Sequence, residues 1–351
     1  MKETKPFIET LIAGLAGAGL FSLLNLPLPW MLGPLAFVML WQGMSGRQLI
    51  WPKALKSSGL ITLGISFGLY FTLETVQLVG PYALPYIIIT LLLITASIIN
   101  SSIVSRFIKV DRITSVFGSI PGGLTEMVIV SESLKGNAAY VMVFQTIRLL
   151  VVLFTVPFII IYIFSAQNTG QDTLMAHTGT AFLSWNVLWL LVPVLLGVRF
   201  HHLLPAGIMI IPLSVTAVMN IGPVQVPAIP EAVFLGAQLC VGVALGKNIL
   251  LKDVKNAGKY GFIYAGLALL LIFISFISGF LLYSVTSMDL PTALLSTAPG
   301  GVVEMVLTAS IVGADPAIVT ALQLTRIILI ILLVPVSLSW YFNKTAKEKA
   351  A

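Results

Sequence analysis

Charge is what this sequence has least of. Of 351 residues only 9% are Asp, Glu, Lys or Arg, against 58% hydrophobic, whereas a soluble domain carries about 25% charged residues. That shortage excludes an ordinary soluble globular protein. Cysteine is nearly absent as well. Cys240 is the only one, so no internal disulfide can form, and it lies inside an apolar run. The three histidines, His177, His201 and His202, sit in loops or at the ends of apolar runs. With one cysteine they make no copper or zinc ligand set. The expectation is therefore no metal, no cofactor and no enzyme. Long polar stretches are missing too, so there is no separate domain large enough to grip DNA. The net charge of +6 lies in short loops, where Lys and Arg act as orientation signals, and no nucleic-acid partner is expected.

What the chain does have is apolar stretches of about 20 residues from end to end, the mark of a helical membrane protein. The run 7–26 follows Lys2 and Lys5 like a signal peptide. It is long, and no small-residue cleavage site follows, so it reads as a retained first span.

The sequence repeats itself without a gap at an offset of 178. Pro27, Pro34 and Pro52 fall on Pro205, Pro212 and Pro230. Gly64 and Gly68 fall on Gly242 and Gly246, and Asp111 and Thr114 on Asp289 and Thr292. Gln145, Arg148 and Pro157 fall on Gln323, Arg326 and Pro335. Apolar matches are cheap in such a chain, but acids, amides and prolines in one register are not, so the chain is read as a duplication. The first repeat spans 7–164, a polar linker 165–180, the second repeat 181–342, and a basic tail 343–351. Each repeat reads as six apolar segments: 7–26, 30–42, 56–73, 81–105, 113–133 and 138–164, then 181–200, 203–220, 232–250, 260–285, 292–312 and 317–342.

Loop charge sets the topology. In the first repeat the loops 43–56 and 106–112 are basic, and 25–29 and 72–85 carry no Lys or Arg. The second repeat shows the opposite order: 199–205 and 246–259 are basic, and 221–231 and 284–291 are not. Basic loops face the cytoplasm, so the two repeats are expected to lie inverted, each with an odd number of crossings. One segment of the six must then fail to cross.

The candidate is the segment that carries a sentence written twice: Ser-Ile-Pro-Gly-Gly-Leu-Thr-Glu-Met at 119–127 and Thr-Ala-Pro-Gly-Gly-Val-Val-Glu-Met at 297–305. Pro121, Gly122 and Gly123, and Pro299, Gly300 and Gly301, break a helix where a bilayer tolerates a break only inside protein or beside water. Each segment is expected to be a re-entrant hairpin. Its arms of about 8–10 residues reach about 12–15 Å, to the midplane of a ~30 Å core. Both termini then face the cytoplasm.

Glu126 and Glu304 follow the breaks by three residues. Each is either a first-turn acid that complements the helix dipole or an intramembrane carboxylate able to exchange H⁺ or Na⁺. The glycines either make the turn or bare their amides to an anion. Gln145 and Arg148, like Gln323 and Arg326, lie three apart on one helix face. Each Arg either pairs with a hairpin Glu or holds an anionic substrate. The Gly64-x-x-x-Gly68 and Gly242-x-x-x-Gly246 pairs read as helix-packing faces. Trp30, Trp41, Trp51 and Trp340 read as interface belts.

The doubled Pro-Gly-Gly-x-x-Glu-Met, the following Gln-x-x-Arg and the Leu-Pro-Trp-Met-Leu-Gly-Pro entry at 28–34 resemble the bacterial AbrB-duplication membrane protein family over nearly the whole chain. Members carry the labels ammonia monooxygenase and AbrB regulator. The resemblance implies that Gly122, Gly123, Glu126, Gln145 and Arg148, with their second-repeat partners, form the functional set. The second repeat departs at 206–211, where Trp-Met-Leu-Gly does not recur.

The reading that follows is an all-α polytopic inner-membrane transporter of a small anion or zwitterion, coupled to H⁺ or Na⁺. A regulator acting indirectly on gene expression and a channel are the alternatives, and a monooxygenase the remotest. Its partners are the lipid bilayer and a small-molecule substrate, and the sequence allows a homodimer. The topology is open to test by cysteine labelling in a Cys240→Ala background. Cysteines placed at Lys109 and at Lys255 should both label from the cytoplasm, and periplasmic labelling at either one would end the inverted arrangement.

Overall fold

The computed structural model describes residues 4–122, 124–164, 185–204, 206–222, 224 and 226–350. The linker 165–180 and His177 lie outside them. Among the described residues the chain forms helices and no strand. In order they are α1 (Thr4–Leu23), α2 (Pro29–Ser45), α3 (Lys53–Gly68), α4 (Leu73–Val104), α5 (Arg112–Ser119), α6 (Leu124–Ser133), α7 (Ala138–Phe164) and α8 (Leu191–Phe200). They continue with α9 (Gly207–Ile221), α10 (Glu231–Asn248), α11 (Leu251–Asn256), α12 (Lys259–Val285), α13 (Leu290–Thr297), α14 (Val302–Val312) and α15 (Pro316–Ala350). Short 3-10 helices flank α8. Six stretches are long and apolar enough to cross a membrane: α1, α4, α7, α8 with its flanks, α12 and α15.

Where the residues are described, the expected segments overlap these helices; 181–184, the start of the segment 181–200, lies outside them, and α3 ends at Gly68, short of the expected 73. Three further differences stand out. The stretch 72–85 is not a loop, because α4 begins at Leu73 and carries Pro81 and Pro85 inside it. Proline loses one hydrogen bond and crowds the preceding turn, but helix packing tolerates this in apolar spans. The basic loop 246–259 holds the short helix α11. The tail at 343–351 extends α15 as far as Ala350, as its Ala, Lys and Glu favour.

The repeat is visible in the backbone. Leu28 and Ala206, 178 apart, take the same left-handed conformation (φ 47° and 53°) ahead of α2 and α9. The entry therefore keeps its geometry where Trp-Met-Leu-Gly is lost. Lys135 and Gly313, also 178 apart, are left-handed just after α6 and α14 (φ 66° and 72°). Asp111 and Asp289 cap α5 and α13, accepting from the Thr114 and Thr292 amides at 2.8 and 3.1 Å, as short acidic side chains do at a helix start.

The chain folds into two compact units, and each takes segments from both repeats. The first comprises 1–80, 157–251 and 306–318, the second 81–156, 252–305 and 319–351. In the first unit the small-residue pairs are packing faces. A Cβ on Gly64 would lie 2.5 Å from the Met209 carbonyl oxygen, and one on Gly68 2.6 Å from that of Leu213. In the other direction, Gly242 meets the Met31 carbonyl and Gly246 that of Leu35. These are the same contacts with the repeats exchanged. Gln42 donates to the Lys247 carbonyl at 3.0 Å, and its counterpart Asn220 donates to the Leu69 carbonyl at 3.0 Å. Trp51 is a correction to the belt expectation. It is 6% exposed and stacked on Phe7 at 5.5 Å, in a core with Val38, Leu239 and Val243. Trp41 and Trp340 are exposed.

In the second unit Ile94 of α4, Phe117 of α5, Met127 of α6, Val141 of α7 and Ile330 and Val334 of α15 share one core. Segment 112–137 is a helical hairpin. The Asn137 amide donates to Thr114 Oγ1 at 2.7 Å, and Gly136 packs on Ile113, so the chain returns to where it entered.

Replacing Gly64 or Gly242 with Val should lower stability by about 1–3 kcal/mol through overpacking. Gly236→Val, where an added Cβ meets nothing within 4 Å, should be close to neutral. Unfolding temperatures of the purified variants would check the contrast.

Candidate functional site

The doubled motif and the Gln-x-x-Arg faces all lie in the second unit. Each break ends one short helix and starts another: α5 stops at Ser119 and α13 at Thr297. The last carbonyls of a helix have no partner within it. In an apolar setting each such group costs several kcal/mol unless something donates to it. The glutamines of α7 and α15 do so. Gln145 Nε2 donates to the carbonyls of Phe117 and Ile120 at 2.6 and 2.9 Å. Gln323 Nε2 donates to those of Leu295 and Ala298 at 2.6 and 3.3 Å. The four acceptors match pairwise at the offset of 178.

The arginines divide. Arg326, 5% exposed, donates to the Ala298 carbonyl, to the Gly300 carbonyl at 2.6 Å and to Gln323 Oε1. A cation at the end of α13 also suits the helix dipole. Arg148 is just as deep, at 8% exposed, yet its Nε and Nη1 meet no acceptor among the described residues. Gln145 Oε1, the counterpart of the oxygen that Arg326 uses, is also left without a partner among them.

The glycines do what the break requires. Methyl groups on Gly122 and Gly300 would run into Met127 and Met305 respectively. Pro121 and Pro299 stand immediately after Ile120 and Ala298, the C-cap residues of α5 and α13, whose ψ of 130° and 134° turns the chain out of the helix. Glu304 is the third residue of α14 and is 5% exposed. Its carboxylate folds back over Gly301, where an added Cβ would collide with it. This is the position from which an acid reaches back to a helix start. Glu126 lies in the first turn of α6. Its side chain, and Gly123, fall outside the described residues.

Sequence reasoning passed over Tyr86 and Tyr264, although they too are 178 apart. A phenol repeated in register inside two apolar helices was the available signal. Tyr86 donates to the Ser296 carbonyl at 2.9 Å. Tyr264 instead stacks on Phe144, with centroids 3.5 Å apart.

An all-helical polytopic membrane protein, with two broken helix pairs braced by buried Gln and Arg, is the class that this fold and site define. The chain belongs to the family described as transition state regulatory protein AbrB, whose model matches residues 30–342. It is 27% identical to the "Uncharacterized protein YhjN" of Bacillus subtilis (strain 168) over 347 residues, covering 91% of this chain and 89% of that protein. It is 25% identical to the "Putative regulator AbrB" of Escherichia coli (strain K12) over 340 residues, covering 94% of both. No solved structure matches it.

Gln145→Leu should strand two carbonyls and Gln323→Leu one, that of Leu295, because Arg326 still serves Ala298, at about 1–3 kcal/mol apiece. The yield of folded protein should fall for both variants. A normal yield and unfolding temperature for either would show that its carbonyls have other donors.

Proposed function

We propose that the protein is a secondary active transporter of a small anionic or zwitterionic solute, coupled to H⁺ or Na⁺. The observation that carries this reading is the pair of broken helices with two deep guanidiniums beside them. Buried cations and helix breaks are costly in a membrane interior and belong to solute and ion pathways. The protein sits in the inner membrane with both termini cytoplasmic. Its repeats are inverted, each with five crossings and one re-entrant hairpin. The closed hairpin at 112–137 supports that count, because a segment that returns to its start adds no crossing. Glu126 and Glu304 are the coupling groups, and the arginine–glutamine faces orient the solute. No catalytic step is assigned. The relative described as a regulator fits this scheme if gene expression responds to the transported solute. Besides the bilayer and the solute, a second copy of the chain is the expected partner.

The test is Glu126→Gln and Glu304→Gln in proteoliposomes, each alone and combined with Arg148→Gln or Arg326→Gln. Coupling carboxylates predict that solute exchange between two pools survives, while uphill uptake and its pH dependence are lost. A purely structural Glu–Arg pair predicts something else: loss of folded protein, by about 3–5 kcal/mol for breaking a buried pair, with recovery in the double variant and transport intact. That second pattern would remove the coupling role.

A further inference from the structure

Beside each break stand the same three side chains, an Arg, a Gln and a Tyr, and among the described residues only one copy uses all its donors. In the second copy Arg326 is fastened to two carbonyls and to Gln323, and Tyr86 to the Ser296 carbonyl. In the first copy Arg148 Nε and Nη1 and the Tyr264 hydroxyl are buried without hydrogen-bond partners among the described residues. Tyr264 is 2% exposed, and the acceptor nearest to its hydroxyl is Ser115 Oγ, within reach of a looser hydrogen bond.

The cause lies at two positions. Phe144 stands where the second repeat has Leu322, and Gly118 where it has Ser296. The Phe144 ring lies over Gly118, so close that an added Cβ there would sit 2.9 Å from it. Its stacking on Tyr264 holds that ring in place. The tyrosine–carbonyl bond of the second copy therefore has no equivalent in the first.

Arg148, Tyr264, Phe144, Ser97, Ser119 and Asn100 line one cavity of about 10 Å³, room for a single water-sized particle. The Ser97 and Ser119 hydroxyls are already committed to the Ser119 and Ser115 carbonyls. The remaining polar lining is Arg148 Nε and Nη1, the Tyr264 hydroxyl and the Asn100 amide, and its one charged group is a cation. A buried guanidinium with unpaired N–H groups in the wall of a cavity complements a negative charge.

We propose that Arg148 and Tyr264 form a subsite for one small anionic group, and that the second repeat has lost the equivalent subsite by closing Arg326 onto the helix break. The anionic group is either a free halide or the carboxylate end of the transported solute. The inference rests on the transporter reading only in the latter case.

The experiment uses the purified full chain in detergent, in sodium isethionate at constant ionic strength, whose tetrahedral sulfonate is bulkier than a halide or a planar carboxylate. Sodium chloride, bromide or acetate is titrated in, and the unfolding temperature is followed, since a ligand of the folded state raises it. A saturable rise is expected. Tyr264→Phe keeps the ring on Phe144 and removes one hydrogen bond to a charged group. Its midpoint should move about tenfold higher in anion concentration, whereas Tyr86→Phe should leave the midpoint unchanged. A response to chloride and bromide alone identifies a free halide, and a response to acetate identifies a carboxylate. No saturable response to any of the three overturns the proposal, with Arg148 then closing on Gln145 as Arg326 does on Gln323. A Tyr264→Phe midpoint equal to the unsubstituted protein's overturns it as well. Binding is read here without transport. A protein that binds anions through Tyr264 and moves no solute keeps this subsite and loses the transporter reading. One that transports without a Tyr264-dependent response does the reverse.

Discussion

The carbonyl groups left bare where a helix stops inside apolar surroundings are the constraint on which this molecule turns. Water cannot serve them there, and the cost of leaving them is several kcal/mol each. The chain meets the cost with side chains from a neighbouring long helix. Gln145 takes two carbonyls, Gln323 takes two, and Arg326 shares that of Ala298 and takes that of Gly300. The Pro-Gly-Gly break, the hairpin closed at Thr114 and the polar faces of α7 and α15 are thus one arrangement. Remove the donors and the break has no reason to persist.

The first compact unit answers a different problem. Between helices surrounded by lipid there is no hydrophobic drive to associate, so close backbone approach must supply the attraction. Gly64 and Gly68 let α3 reach the α9 backbone, and Gly242 and Gly246 let α10 reach that of α2. Each contact pairs one repeat with the other, and the register is the same in both directions. This is what a gapless duplication produces when each copy completes its packing on its twin. It also explains why compact units and sequence repeats do not coincide.

Against that regular background the two copies of the site differ in a physically simple way. An aromatic ring at Phe144 in place of Leu322 lies over a glycine in place of Ser296 and stacks on Tyr264, and in the same copy Arg148 Nε and Nη1 are without partners among the described residues. One copy has become a brace. The other keeps the polar capacity that a ligand needs.

Much of this was legible in the residues. Apolar run lengths, the offset of 178, the helix breaks and the Gly-x-x-x-Gly faces follow from short-range rules: hydropathy, the lack of an amide hydrogen on proline and the lack of a Cβ on glycine. Trp51 was misread because burial depends on what packs over a side chain, here Phe7. The early start of α4 was missed because proline marks a boundary only where no tertiary packing offsets its lost bond. The pairing of Tyr264 with Phe144, and the separate fates of Arg148 and Arg326, belong to the same class. By itself the sequence determined the helices, their breaks and their duplication, since these are set within a few residues or by identity at a fixed spacing. Only the tertiary structure decided which of two identical Gln-x-x-Arg faces is saturated. Hydrogen-bond satisfaction depends on angstrom-scale placement of groups far apart in the chain.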